Sequence, residues 1–351
     1  MTTTRTYILF ILFTLLCPAF LRAGDKKAVA AGSFHALVLK QDGTLWSFGR
    51  NFSGALGVGG DVDSSPEPIK IMDDVVQISA QNETSMAVRA DGSLWAWGQN
   101  DEGQLGNGST CYTGVRQPVK IMDNVRLARA GRHQSFAIDR DGNLWAWGDN
   151  DFGQLGDGTT TQRLSPVKVM SGVRDVSGGQ SSALVVAQDG SLYELGPGLK
   201  QPKKIMDGVR KACCPGFYMV LRDDGTVWTW GSSNTYGQLG TGDTGINRYA
   251  EDARQILSDV SDISAAGCSG MAVRNDGTLW AWGQNDWGQL GDGTTTNRLA
   301  PLKVDDNVLS VACGNLISVW ITRDGNLRVV GNLYAKNNPH FSNQKIQNHR
   351  I

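Results

Sequence analysis

The sequence carries almost no excess of charge of either sign. Its 351 residues include 33 lysines and arginines against 34 acidic residues, a formal net charge of −1 at pH 7. Proteins that bind nucleic acid rely on a basic surface that neutralises phosphates. We therefore expect no nucleic-acid partner.

Histidine is scarce. The four histidines are His35, His133, His340 and His349. Two stand in equivalent turns of a repeat described below and two in the C-terminal tail, so their spacing assembles neither a metal site nor a nucleophile–base pair. We predict no catalytic residues, no metal and no cofactor.

The cysteines do not indicate a disulfide framework or a zinc site. One cysteine lies in the N-terminal segment, and the other five are Cys111, Cys213, Cys214, Cys268 and Cys313. An odd number without regular spacing is typical of neither disulfide scaffolds nor zinc sites. Because three of them stand where other repeats carry small residues, we predict free thiols that fill small buried spaces.

A long apolar run is found only at the N-terminus. Arg5 precedes an apolar run over residues 7–20, and Ala23 follows as a small residue, an order typical of a secretory signal peptide. The run is short for a membrane span, but bulky Leu21 is a poor cleavage neighbour. We predict a signal peptide at 1–23 and a secreted or periplasmic protein that leaves the membrane; the alternative is an uncut, membrane-anchored or cytoplasmic chain.

One short pattern is abundant: Asp-Gly followed by an apolar strand that ends in Gly. Its seven copies are Asp42–Gly49, Asp91–Gly98, Asp141–Gly148, Asp189–Gly196, Asp224–Gly231, Asp276–Gly283 and Asp324–Gly331. Successive copies are separated by 49, 50, 48, 35, 52 and 48 residues. A period of this size indicates a solenoid, a propeller or an array.

The second copy defines the structural unit. Its predicted strands are Val75–Ala80, Ser85–Arg89, Leu94–Gly98 and Pro118–Ile121. Asp91-Gly92 between the second and third strands predicts a tight type I′ hairpin. The third strand is apolar throughout, so both of its faces should be covered, as happens when blades stack around a ring.

Seven such units predict an all-β fold, a seven-bladed β-propeller of four-stranded antiparallel blades with a filled or narrow central channel. The predicted propeller covers residues 24–335 and closes by packing its first blade on its last. Nine of the eleven tryptophans fall in third strands, where we expect them to pack between blades. Residues 336–351 form a C-terminal tail, in which Gln344–Asn348 loosely matches an outer strand.

The long loops share a second motif, Asn-x-x-Gly-x-Leu-Gly. Its copies begin at Asn51, Asn100, Asn150, Asn234 and Asn285. Together with Asp-Gly-x-Leu-Trp-x-Trp-Gly and the turn Gly131-Arg132-His133, this motif resembles the repeat of the regulator of chromosome condensation family over residues 28–335. The resemblance implies the seven-bladed propeller, and among family members the secreted bacterial ones match the predicted export best.

The propeller topology separates two faces. Turns after inner strands and loops after third strands emerge on one face (the loop face), and the Asp-Gly hairpins emerge on the other (the hairpin face). Variable loops on a rigid scaffold often carry binding sites, and aromatic residues and arginine are typical anchors. The candidate contacts are Phe34, Glu83, Arg132, His133, Phe217 and Tyr218 near the axis, and Phe152, Tyr236 and Trp287 further out. The outer aromatics could instead simply cover the blade tops.

We predict from this a monomeric, non-catalytic module that binds a protein partner, of unknown identity, through the loop face. Because the family's founding member is a guanine-nucleotide exchange factor, exchange on a small GTPase is the alternative that the resemblance implies. A hydrolase with a site at the channel mouth is the third reading.

Overall fold

The computed structural model describes residues 28–333 and the backbone of residues 347–350. Within them, 28 strands form seven four-stranded antiparallel sheets, each following the order of the sequence. This confirms the predicted seven-bladed propeller. The predicted signal peptide at 1–23 and most of the predicted tail lie outside the described residues.

Blades one to four follow each other along the chain. Their strands are β1 (Ala28–Ala31), β2 (His35–Leu39), β3 (Leu45–Arg50), β4 (Ser64–Met72), β5 (Val75–Gln81), β6 (Thr84–Arg89), β7 (Leu94–Asn100), β8 (Cys111–Met122), β9 (Val125–Ala130), β10 (Gln134–Asp139), β11 (Leu144–Gly148), β12 (Arg163–Met170), β13 (Val173–Gly178), β14 (Ala183–Ala187), β15 (Leu192–Leu195) and β16 (Lys203–Met206). A single 3-10 turn, Phe52–Gly54, lies in the first long loop.

Blades five to seven complete the ring. Their strands are β17 (Val209–Cys213), β18 (Tyr218–Arg222), β19 (Val227–Trp230), β20 (Arg254–Leu257), β21 (Val260–Ala266), β22 (Ser269–Arg274), β23 (Leu279–Gly283), β24 (Arg298–Asp305), β25 (Val308–Cys313), β26 (Ile317–Thr322), β27 (Asn326–Gly331) and β28 (Gln347–Arg350). A second 3-10 turn, Ala250–Asp252, precedes β20. Blade seven thus takes its outer strand from the C-terminal residues, beyond the predicted propeller boundary at 335.

The Asp-Gly hairpins are three-residue loops, so the predicted type I′ turn is wrong. In blade two, Gly92 N–H donates to the Arg89 carbonyl at 2.9 Å and Arg89 N–H donates to the Ser93 carbonyl at 3.0 Å. Only the glycine has a positive φ, of 87°. Asp91 acts through its side chain instead, because its carboxylate accepts from both the backbone and the hydroxyl of Ser93.

The third strands of blades two, three, five and six carry two tryptophans each, which have different environments. The second one is buried between blades: Trp97 Nε1 donates to the Ala55 carbonyl of the preceding blade's loop at 2.9 Å. Trp147 and Trp282 make the same bond to the carbonyls of loop glutamines. The first tryptophan is only half-buried, and Trp95 Nε1 donates to Ser93 Oγ of its own hairpin. Both tryptophans thus pack in the apolar clusters between blades, as predicted, but only the second is fully buried there.

The inner strands leave a narrow axial channel, as predicted, with a cavity of about 170 Å³ lined by all seven blades. Ion pairs join neighbouring blades across its wall, at 3.1 Å between Arg129 and Asp175 and at 2.6 Å between Lys211 and Asp262. Burial disfavours the ammonium, but the carboxylate of Asp262 keeps the pKa of Lys211 above its ordinary value.

The ring closes through side-chain contacts between its first and last blades. Blades one and seven share one apolar cluster that includes Phe48 and Ile317, and Asn315 Nδ2 of blade seven donates to Ser33 Oγ of blade one at 2.9 Å. Each sheet takes all of its strands from one continuous stretch of chain, so no strand is exchanged among the described residues.

Candidate functional site

The loop face is built from a repeated clamp. The buried motif asparagine of each long loop accepts the backbone N–H of the motif leucine at 2.8–3.1 Å. The Nδ2 of Asn285, for example, donates to the carbonyls of Thr294 and Thr296 on the far side of the loop. These bonds satisfy the loop backbone internally, so the loops keep a fixed shape without a bound partner.

The motif glutamine fixes the residue at the loop tip. Gln154 Oε1 accepts the backbone N–H of Phe152 at 2.9 Å, and Gln289 Oε1 accepts that of Trp287 at 3.0 Å. Both glutamines are buried, and their Nε2 atoms have no hydrogen-bond partner. The tip backbone is therefore held from beneath while its side chain points away from the loop.

Two of the three outer aromatics are exposed. The exposed fraction is 52% for Phe152 and 44% for Trp287, whereas Tyr236 is half-buried. Large apolar side chains on a rigid scaffold lose little entropy when they bind. Phe152 and Trp287 are therefore the outer aromatics that remain exposed on the loop face.

Near the axis, hydrogen bonds connect the turns of blades seven, one, two and three. Asn82 is central: its carbonyl accepts Ser33 N–H at 2.7 Å, its Nδ2 donates to the Arg132 carbonyl at 3.0 Å, and its Oδ1 accepts from Asn315 at 3.1 Å. This network places the exposed Arg132 and the half-buried His133 beside the turns of blades one and two. Asn82 and Asn315 hold the same turn position in blades two and seven, but blades one, three and four carry Ser33, Arg132 and Gln180 there, so no repeated motif marks the two asparagines.

Phe34 and Glu83 meet on the same arc. Phe34 packs edge-on against Phe52, with ring centroids 5.7 Å apart, and Glu83 accepts from Ser53 Oγ at 2.6 Å. Phe52 is 41% exposed, and the guanidinium of Arg50 lies over its ring at 4.8 Å. Phe52 does not stand out in the sequence either, because its equivalents in blades two and five are polar.

Phe217 and Tyr218 do not belong to this arc. Phe217 is 2% exposed and packs in the core between blades five and six. Tyr218 stacks on Trp230 at 5.2 Å and donates to Glu194 at 2.7 Å. Phe217 is buried because it lies opposite Gly231, one strand position deeper than the turn. Tyr218 is held by its stacking and hydrogen-bond contacts, so neither side chain is available as an anchor.

The loop face is acidic across blades two and three. Burial and repulsion by neighbouring carboxylates raise the pKa of Glu102. The neighbours are Asp101, Asp149 and Asp151. His133 lies close enough to offset part of this repulsion.

The structure brings together one histidine and one hydroxyl that the sequence does not pair. His35 Nε2 lies 2.8 Å from Ser85 Oγ, and Ser85 Oγ donates to the Ala55 carbonyl at 2.9 Å. Both side chains are buried between blades one and two, whereas a nucleophile must be reachable by its substrate. The pair is thus an interblade hydrogen bond, and burial lowers the pKa of His35 to about 4.

The five cysteines that the structure describes are free thiols, and Cys213, Cys214 and Cys313 are buried, as predicted. Burial raises the pKa of Cys213 to about 11 and that of Cys214 to about 12. Across the described ranges, no three His, Cys, Asp or Glu side chains are placed to share a metal ion. In the same ranges no helix has the length and apolar character that crossing a bilayer requires.

Comparison with curated proteins gives partial matches. Similar proteins include the RCC1 domain-containing protein RUG3 of Arabidopsis thaliana, 30% identical over 39% of this chain and 33% of that protein. The ultraviolet-B receptor UVR8 of Arabidopsis thaliana is 32% identical over 37% of this chain and 31% of its own length. The matched part of this chain thus spans about a third of these relatives.

Two solved structures share the fold. Human WBSCR16 has a TM-score of 0.72 at 24% identity, covering 83% of this chain and 85% of its own. Prp20p of Saccharomyces cerevisiae, which binds Gsp1p and histones, has a TM-score of 0.71 at 20% identity, covering 83% and 81%. At these identities the likeness concerns the fold.

The repeat itself is recognised directly. Regulator of chromosome condensation (RCC1) repeats match residues 42–88, 91–138, 141–186, 224–270 and 276–321. A second form of the repeat matches residues 27–55 and 75–104. Because these matches cover more than half of the sequence, the chain belongs to the regulator of chromosome condensation (RCC1) repeat family.

Proposed function

We propose that this protein is a non-catalytic binding module whose loop face docks onto a protein partner. The observation that carries this proposal is the pair of exposed aromatics, Phe152 and Trp287, on loops whose backbones are clamped from beneath. Such a surface binds without first having to order itself. The carboxylates around Glu102 favour a partner with lysine or arginine opposite blades two and three.

Replacing Phe152 and Trp287 together with alanine should weaken partner binding at least ~30-fold, because a truncated interface anchor costs about 2 kcal/mol or more. Its matched control is Leu309→Ala, which truncates an exposed apolar side chain at the hairpin-face end of an inner strand. The measurement is affinity capture from native cell fractions, followed by titration of the partner that wild type and control retain and the double variant loses. Equal titration curves for the double variant and wild type would refute the loop face as the binding surface.

The identity of the captured protein decides between binding and exchange. If it is a small GTPase, the rate of nucleotide release with and without this protein shows whether exchange is the function. Acceleration of release would replace the binding-module proposal with an exchange factor, and an unchanged rate would retain it.

We also propose that the protein acts outside the cytosol, supported by the signal-like order of Arg5, the apolar run over residues 7–20 and Ala23. N-terminal sequencing of the native protein should give a mature start at Gly24, in a fraction outside the cytosol. An intact Met1 in the cytosolic fraction would overturn export and make cytosolic partners the first to test.

A further inference from the structure

Blade five departs from the other blades that carry the long loop. Its outer strand β20 has four residues, whereas the outer strands of blades one, two, three and six have 9, 12, 8 and 8. Blades one, two and six also hold the end of this strand with a Lys–Asp ion pair three residues apart. In blade five the corresponding residues are Gln255 and Ser258. The rim of the propeller is therefore built differently where blade five meets blade six.

A cavity of about 450 Å³ opens at this junction. Arg254 and Ile256 of β20 form one wall, Ala300 and Pro301 of β24 form another, and Trp280 lies between them. Small-molecule sites in proteins have volumes of this order. The cavity lies among outer strands, away from the loop tips that carry Phe152 and Trp287.

Comparison of equivalent junctions shows why the cavity exists. A loop glycine donates its N–H to the next blade's outer strand at 2.8 Å in each of three junctions: Gly59 to Arg116, Gly108 to Leu164 and Gly242 to Leu299. In the first junction the following residue, Gln117, comes so close that a Cβ at Gly59 would lie 2.6 Å from its Nε2. In the third, the following residue is Ala300, and a Cβ at Gly242 would meet nothing within 4 Å. The short side chain of Ala300 leaves open the space that Gln117 occupies.

The cavity lining includes the cation of Arg274. The guanidinium carbon of Arg274 lies 4.4 Å from the ring centroid of Trp280, and its buried Nε has no acceptor. Arg274 makes no ion pair among the described residues, and the nearby carboxylate of Asp276 is occupied by the N–H and hydroxyl of Thr278. The equivalent Arg89 and Arg222 share this orphaned Nε, so that atom does not distinguish the cavity. The half-buried Arg274 can instead offer its terminal Nη donors to a carboxylate, the acceptor that guanidinium groups bind most strongly.

The other lining residues indicate the chemistry of the rest of the ligand, beyond its carboxylate. Arg254 adds a second guanidinium, whose one ion pair is an exposed 3.4 Å contact with Asp243. The indole N–H of Trp280 already donates to Thr278 Oγ1 at 2.9 Å, so the tryptophan, with Ile256 and Pro301, presents apolar surface. The site therefore suits a molecule with one anionic end and one apolar body.

We propose that the rim cavity between blades five and six binds a small organic carboxylate, with the carboxylate at Arg274 and Arg254 and its apolar body against Trp280 and Ile256. The cavity lining includes Gly240–Gly242 of the long loop of blade five, but none of the residues proposed to contact the partner. The proposal for this cavity does not depend on the function proposed for the loop face.

The test is calorimetric titration of the full protein with benzoate, phenylacetate and hexanoate, and with neutral benzyl alcohol as the uncharged comparison. We expect saturable one-to-one binding of at least one carboxylate and at least ~10-fold weaker binding of benzyl alcohol, since an ionised acceptor strengthens hydrogen bonds to guanidinium. Arg274→Gln should weaken carboxylate binding at least ~10-fold. Arg222→Gln is the matched control, because Arg222 lies over Trp228 at 5.9 Å in blade five but outside the cavity.

A second variant tests the contribution of the cavity's shape without changing its charge. Ala300→Gln introduces the side chain that blade two carries at this position and should abolish binding while leaving the unfolding curve unchanged. No saturable binding by any of the three carboxylates would overturn the proposal. So would binding that both Arg274→Gln and Ala300→Gln leave intact. Either result would leave the loop-face proposal unaffected.

Discussion

Replacing Trp97 with alanine should lower the free energy of unfolding by about 3–5 kcal/mol, the usual range for removing a buried aromatic side chain. Trp97 is fully buried at the junction of blades one and two, in a cluster with Leu37 and Val75. Its loss would leave a cavity there and remove the donor to the Ala55 carbonyl. Since domains are stable by only about 5–15 kcal/mol, this change should remove a large share of the stability of the propeller.

Denaturant unfolding of the variant measures this effect, and Trp95→Ala is its matched control. Trp95 belongs to the same strand but is half-buried and bonded within its own hairpin, so its loss should cost clearly less. Trp97→Phe keeps most of the packing while removing the N–H donor, which separates the two contributions. If Trp95→Ala lowered the free energy of unfolding as much as Trp97→Ala or more, the second tryptophan would not be the main contributor to packing between the blades.

Stability should also fall by about 3 kcal/mol as the pH drops from about 6.5 to about 4, through protonation of His35, because a tenfold change in its proton affinity corresponds to about 1.4 kcal/mol. Burial lowers the folded-state pKa of His35 from 6.5 to about 4. Between these values the unfolded chain binds a proton that the folded chain does not, so acid favours unfolding. The contribution is fully present above pH 6.5 and is lost progressively below it.

Unfolding free energies measured from pH 7.5 to pH 4 test this prediction. His35→Gln keeps an amide that can donate to Ser85 and should flatten the curve in this window, whatever its cost at neutral pH. Carboxyl groups with lowered pKa values, such as Asp157 and Asp292, act mainly below pH 4 and would not mask the effect. A variant curve parallel to that of wild type would exclude His35 as the source.

The blade count and order were predictable because they depend on local, repeated signals. Asp-Gly hairpins recur once per blade, and the alternation of short strands and turns leaves little freedom of topology. The turn type was predicted wrongly because Asp91 bonds Ser93 through its carboxylate, a side-chain contribution that the dipeptide alone does not reveal. Nor does a continuous apolar strand show which of its two tryptophans is fully buried between blades.

The candidate site was less predictable because it depends on contacts between blades. Phe217 was grouped with Phe34, although it lies opposite a strand-end glycine as His35 does opposite Gly49. That shift of one residue moves the side chain from the surface into the core. The rim cavity was beyond prediction for a similar reason, because it arises from the small size of Ala300 relative to the loop of the preceding blade.

Because the ring closes without strand exchange, the chain could start at any blade while the cyclic order of the blades stays the same. His349 of the last strand holds the register position that Met122 holds in blade two. Ala28 of the first strand holds the position that Leu127 holds in blade three. Since four residues join Met122 to Leu127, a four-residue peptide would join His349 to Ala28, and new ends could be opened between any two blades. The geometry of the ring therefore does not fix between which two blades the chain ends lie, and circularly permuted variants should keep the same fold.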